Sequence, residues 1–263
     1  MTASRAWSVA GLAFAVSFGA GACLMLSPAL AADDDAAQIL KSMSNYLASA
    51  KTISATFDSD IEVITPEMEK IQFTSSGTLL LDRPNEIRAT RTGGYVDVEM
   101  LFDGKTLVVY GKNTNGYVKM DLAGSVDHLI DSLCERGRAL PGADLLLSNV
   151  YDTLIGDITD AKHIGRGVVG GVECGHLAFR QHDTDWQLWV ELGEKPMPRK
   201  LVITSKTIAA APQYSLVVRD WKTDVPVDAA AFTFNPPKGA KEVDEAALAD
   251  LDELPPSAPA KGQ

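Results

Sequence analysis

From Ile53 onward the chain settles into a period of two, and no other feature constrains its fold as strongly. Ile53, Ala55, Phe57, Ile61 and Val63 alternate with polar residues. After a Thr65-Pro66-Glu67 turn the pattern resumes at Ile71, Phe73, Ser75, Gly77, Leu79 and Leu81. Successive side chains of a strand point to opposite faces, so such a run buries one face and wets the other. A shorter strand is expected at Glu86–Arg91. Asp103-Gly104 and Asn115-Gly116, flanked by MLF, TLVVY and YVKM, mark hairpins. Strands are read again in AKHIGRGVV, VECGHLAFRQ, WQLWVEL, PRKLVITSK, QYSLVVRDW and AFTFNPP, separated by Gly and Pro residues that include a Gly170-Gly171 turn. One long antiparallel sheet with a few inserted helices accounts for all of them.

The helices are short. Ile39, Leu40, Met43, Tyr46 and Leu47 fall on one face of a helix over Ala36–Ser49, and the preceding Asp run suits its N-terminus. Ser125 is placed to cap a second helix running to Arg136, with Val126, Leu129, Ile130 and Leu133 on one side. Pro141 is placed to start a third, GADLLLSN, leading to VYDTLI.

The ends read differently from the middle. Arg5, an apolar run to Leu26, Pro28 and the small-x-small site Ala29-Leu30-Ala31 have the layout of a secretory leader, residues 1–31, cleaved after Ala31. An uncleaved membrane anchor, or a lipid-modified Cys23, is the competing reading. Residues 32–243 are expected to form one domain. Residues 244–263, acidic and rich in Ala and Pro without aromatics, read as a disordered tail. The formal net charge of −11 gives no electrostatic reason to bind nucleic acid or an anionic membrane surface. Export places Cys134 and Cys174 in an oxidising compartment, so a disulfide between them is the default, contributing ~4 kcal/mol in the chain-entropy model. Two free buried thiols are the alternative, since pairing is not deducible from sequence.

Catalytic and metal signatures are missing. The histidines at 128, 163, 176 and 182 sit at unrelated spacings, and neither Cys-x-x-Cys nor His-Glu-x-x-His occurs. Gly165-Arg166-Gly167-Val168-Val169-Gly170 matches the dinucleotide fingerprint in letters alone. That motif must leave a strand and open a helix, whereas here it runs into the strand composition of Val172–Gln181. There is no Gly-x-Ser-x-Gly elbow and no phosphate-binding Gly-Lys-Ser/Thr. No cofactor, metal or catalytic residue is expected, and the chain is not expected to be an enzyme. In the stretch 174–203, Trp186, Leu188, Val190 and Leu192 share one strand face and Gln187, Trp189 and Glu191 the other, so the two indoles pack on opposite sides of a hairpin.

Gly77-Thr-Leu-Leu-Leu-Asp-Arg83-Pro84-Asn-Glu-Ile-Arg88, followed by Asp103-Gly104-Lys-Thr-Leu-Val-Val-Tyr110, resembles the lipoprotein-localisation carriers of the LolA and LolB type. From about Ala36 to Glu242 the chain is more closely similar to a family of predicted periplasmic proteins, domain of unknown function number 2092, through LPGADLL, GVECGHLAFRQHDTDWQLWVE, MPRKLVIT and FTFNPPKGA. The resemblance implies an α+β fold: a curved, half-open antiparallel barrel with helices covering its concave face and an apolar cavity for acyl chains. It implies a monomeric periplasmic carrier or binding protein for a lipid, a lipoprotein or another apolar ligand. The alternative is an envelope sensor or interaction module with a protein partner. The alternation then nominates Phe57, Ile61, Val63, Phe73, Leu79, Leu81, Leu188, Val190, Leu201 and Ile203 as cavity lining, and the resemblance makes Arg88 the candidate lid latch.

Overall fold

The alternating segments fold as two meanders that meet at one long strand. The computed structural model describes residues 34–138 and 140–244. The expected leader lies outside the described residues, as does the expected tail apart from Asp244. Helix α1 (Asp34–Ser49) is followed by β1 (Thr52–Ile64), β2 (Lys70–Asp82), β3 (Glu86–Gly93), β4 (Asp97–Phe102), β5 (Thr106–Gly111) and β6 (Gly116–Asp121). A helical insertion comes next: α2 (Val126–Glu135), a 3-10 turn at Ala143–Leu146 and α3 (Val150–Ile155). The second meander is β7 (Asp160–Val169), β8 (Val172–Arg180), β9 (Thr184–Glu191), β10 (Pro198–Ser205) and β11 (Gln213–Thr223). A 3-10 turn at Ala229–Phe232 and a short β12 (Lys241–Glu242) end the described chain.

The strand order is β12-β6-β5-β4-β3-β2-β1-β11-β10-β9-β8-β7, with β7 and β12 left at opposite edges. Every pairing is antiparallel except β12 with β6. The sheet is therefore an unclosed barrel. β1 is its spine, holding β2 on one side and β11 on the other, with Phe57 opposite both Gly77 and Val218. Register shifts at Ser54/Thr56, Pro198/Lys200 and His163/Gly165 mark bulges, which bend a strand and increase its twist. The dinucleotide-like glycines lie in β7 and the β7–β8 turn, where Gly170 and Gly171 adopt φ of 59° and 82°, the left-handed pair a two-residue hairpin turn requires.

Cross-strand pairing assembles the concave face. Ile53, Leu81, Ile87, Phe102 and Leu107 form one row across β1 to β5, each at most 3% exposed. Leu177, Leu188, Leu201 and Leu216 form another across β8 to β11. Helix α1 lies over the second meander and buries Ala36, Leu40, Met43 and Leu47 completely. Their spacing is the apolar stripe of the sequence, and each large side chain so buried contributes about 1.5–3 kcal/mol. Ser125 caps α2 as expected, its Oγ accepting from the His128 amide at 3.2 Å.

Two expectations fail. AFTFNPP is not a strand: Asp228 caps a 3-10 turn through the Ala230 amide, and the Thr233 amide bonds back to the Ala230 carbonyl. Phe232 is buried, and Phe234 packs on Tyr110 and Tyr117. The segment is thus a strap across the convex face of β5 and β6. The Cys134–Cys174 disulfide is not formed, and both residues are free thiols. A Cβ placed on Gly175 would lie 3.6 Å from Ile39 of α1, so Gly175 faces the helices. Cys174, one residue earlier in β8, therefore faces the convex side, while Cys134 is on α2, whose buried side chains belong to the core on the concave side. The sheet stands between the two sulfurs.

Candidate ligand site under the helical lid

The 3-10 turn at Ala143–Leu146 forms a lid over β9 and β10. Its backbone comes down onto the sheet at Gly142, where an added Cβ would meet Leu216 at 3.1 Å. Gly142 also holds φ at 82°, so any side chain here is both strained and crowded. Between lid and sheet remains a cavity of about 40 Å³, lined by Gly142, Asp144 and Leu145 of the lid, Leu154 of α3, and Gln181, Thr184, Trp186, Leu188, Leu201 and Ile203 of the sheet. One water needs ~10–15 Å³, so the space takes a few waters and no acyl chain. Trp186 is held by Phe179, the rings stacked at 4.0 Å and 21°. Thr184 donates from its hydroxyl to Gln181 Oε1 at 2.9 Å, which fixes the polar rim at the β8–β9 turn.

Among the described residues, few polar contacts fasten the lid. Arg83 donates from its guanidinium to the Leu147 carbonyl at 3.3 Å. Asp127 of α2 accepts from the Ser148 amide at 3.0 Å and from the Ser148 hydroxyl. Burial pulls the Arg83 guanidinium below its ordinary value, and the Asp127 carboxylate opposes that shift. On the underside of the lid, burial and then the Asp131 carboxylate push Asp144 from an ordinary 3.8 up to about 6. Burial, Asp144 and Asp131, in that order, raise the Cys134 thiol.

The ten nominated lining residues all fall on the concave face, but they do not gather in one place. Leu188, Leu201 and Ile203 line the cavity. Val190 is fully buried opposite Gly175, beneath α1, and Leu81 is fully buried in the first row. Phe57, Ile61, Val63, Phe73 and Leu79 sit on β1 and β2, away from the lid, and Phe73 makes an edge contact with Tyr95 at 5.9 Å. Leu192 and Trp189 lie where the hairpin reading put them, and Trp189 stacks on His176 at 4.1 Å on the convex face. Arg88 does not reach the lid. It faces the convex side, donating to Glu99 at 2.6 Å and to the Ala231 carbonyl of the strap at 3.2 Å. The arginine that touches the lid is Arg83, five residues earlier in the same motif. Sequence reasoning also missed Asp144, Gln181 and Asp127. The acid interrupting the apolar run LPGADLLL was the one available signal. Among the described residues, no three His, Cys, Asp or Glu side chains cluster as a metal site.

Residues 36–245 match the family model described as predicted periplasmic protein, DUF2092. The chain belongs to that family. No curated protein matches it. Among solved structures it is similar to an uncharacterised conserved protein from Thermus thermophilus, at 14% identity over 80% of this chain and 98% of that one, with a TM-score of 0.48. It is also similar to LprF from Mycobacterium bovis, at 13% identity, 75% and 97% coverage and a TM-score of 0.47. A LolA superfamily protein from Nitrosomonas europaea is similar at 13% identity, 76% and 97% coverage and a TM-score of 0.38. The chain's own unclosed, helix-covered sheet agrees with the antiparallel sheet read from the residues and with the half-open barrel that the resemblance implied.

Proposed function

We propose that this DUF2092 protein is an exported binding protein or carrier for a lipid, a lipoprotein acyl chain or a similar apolar ligand, and that it is not an enzyme. The carrying observation is the contact between lid and sheet. Leu145 and Leu154 from above and Trp186, Leu188, Leu201 and Ile203 from below meet around a residual space, under a lid with few polar fastenings. In this reading the lid is closed. Loading requires the lid to lift, so that an acyl chain replaces the lid leucines against the sheet. Burying a chain contributes ~0.8 kcal/mol per methylene, on the order of 10 kcal/mol gross for a long one. Each hydrogen bond to a charged group on the lid opposes this by about 1.5–3 kcal/mol. The exchange is therefore near balance, as a carrier that must also release needs. Residues 1–31 are then the cleaved export leader.

The test is native mass spectrometry of the exported protein purified from the envelope without detergent. N-terminal sequencing establishes the leader cleavage after Ala31. A lipid-sized adduct that collisional activation releases is the expected result. A bare mass, together with no uptake of a labelled long-chain alcohol from phosphatidylglycerol vesicles, overturns the proposal.

A further inference from the structure

Asp144 is out of place in the cavity it lines. The wall around it is leucine, isoleucine and tryptophan, with polar groups only at the Gln181–Thr184 rim. No ion pair among the described residues includes Asp144. The charge that does reach it is a second acid, Asp131. A half-buried carboxylate held against apolar groups without a counter-charge is destabilising. A merely structural lid would be more stable with a leucine or an asparagine there. The same carboxylate becomes favourable once a cation sits beside it in the low-dielectric space, where opposite charges attract far more strongly than in water.

We infer that the cavity under the lid selects amphiphiles that carry a protonated amine beside their apolar chain, with Asp144 supplying the counter-charge. This rests on the apolar-ligand reading and names the ligand class within it. The arrangement divides the work between the two walls. The sheet leucines and Trp186 take the hydrocarbon, and the lid brings the charge down onto the head group as it closes. An anionic amphiphile such as a fatty acid meets like charge at Asp144 and is disfavoured. A neutral one gains the apolar contacts alone. Bound amine also neutralises the repulsion between Asp144 and Asp131, so binding holds the lid shut.

The experiment measures binding of dodecylamine, dodecanol and dodecanoic acid to the full exported chain by isothermal titration calorimetry at pH 7.5. The inference expects dodecylamine to bind at least tenfold more tightly than dodecanol, and dodecanoic acid to bind most weakly. Asp144→Asn is near-isosteric and should erase the amine preference, bringing dodecylamine to the affinity of dodecanol for the same variant. Asp131→Asn removes a neighbouring charge outside the cavity wall and should keep the preference, which excludes a general attraction of amines to an acidic protein. Equal binding of all three ligands, or an Asp144→Asn variant that still prefers the amine, overturns this inference and leaves the apolar-ligand reading standing. If none of the three binds, both fall.

Discussion

Arg83 and Leu147 are 64 residues apart in sequence, yet the guanidinium of one lies 3.3 Å from the carbonyl of the other. This contact ties the β2–β3 turn to the trailing end of the lid. Arg83→Ala should therefore loosen the lid without disturbing the sheet. The expected outcome is a loss of about 1–3 kcal/mol in stability and faster amide exchange confined to residues 142–149. Ser148→Ala should act in the same direction but more weakly, since the Ser148 amide keeps its bond to Asp127. Unchanged exchange in the lid of a folded Arg83→Ala protein would show that packing alone holds it.

Arg88 gives the contrasting case. Its partners are Glu99 and the Ala231 carbonyl on the convex side. Arg88→Ala should leave lid exchange and ligand uptake as they are and speed exchange in the strap, residues 228–243. A protease should cut the variant first in that segment. Faster exchange in residues 142–149 instead would restore Arg88 as a lid residue.

Asp144 makes stability depend on pH in a calculable direction. Its folded value of about 6 lies above the ordinary 3.8, so the folded state binds the proton more tightly. Below about pH 4 the group is protonated in both states and has no effect. As pH rises through the window from about 4 to 6 the unfolded chain ionises first, and folding stability falls. A rise of that size corresponds to about 3 kcal/mol at most. Asp144→Asn should therefore be more stable than the parent by about 1–3 kcal/mol at pH 7.5 and no more stable at pH 3.5. Thermal unfolding at both values checks it, and an equal difference at the two would show the carboxyl to be unperturbed.

The thiols are countable. In the exported chain, native protein should titrate one thiol, Cys134, and slowly, because burial and the Asp144 and Asp131 charges raise it. Denatured without reductant, it should titrate two as Cys174 emerges from its buried position. Zero thiols on denaturation would mean that the sulfurs had found each other after all.

Strands, hairpins and concave-face identities were legible because period two is a local property: each residue's face follows from its neighbour's. Ser125 was legible for the same reason, since a cap acts within one turn of its own helix. AFTFNPP misled because alternating aromatics suit a strap as well as a strand, and Pro236 and Pro237 were the local hint that a ladder would end there. Arg83 and Arg88 stand in one motif but touch different partners, because an arginine's face, not its presence in a motif, decides what it reaches.

The sequence alone determined that an alternating chain must become an antiparallel sheet with one apolar face, since hydrophobic burial acts on the side chains and the pleat orders them. Only the tertiary structure decided how the hollow is filled. The lid's descent at Gly142, the meeting of Arg83 with Leu147, the stranding of Asp144 among leucines and the separation of Cys134 from Cys174 by a sheet are contacts between residues distant in sequence. No local period encodes them, because they depend on how two meanders close on β1 and where the helical insertion then comes to rest.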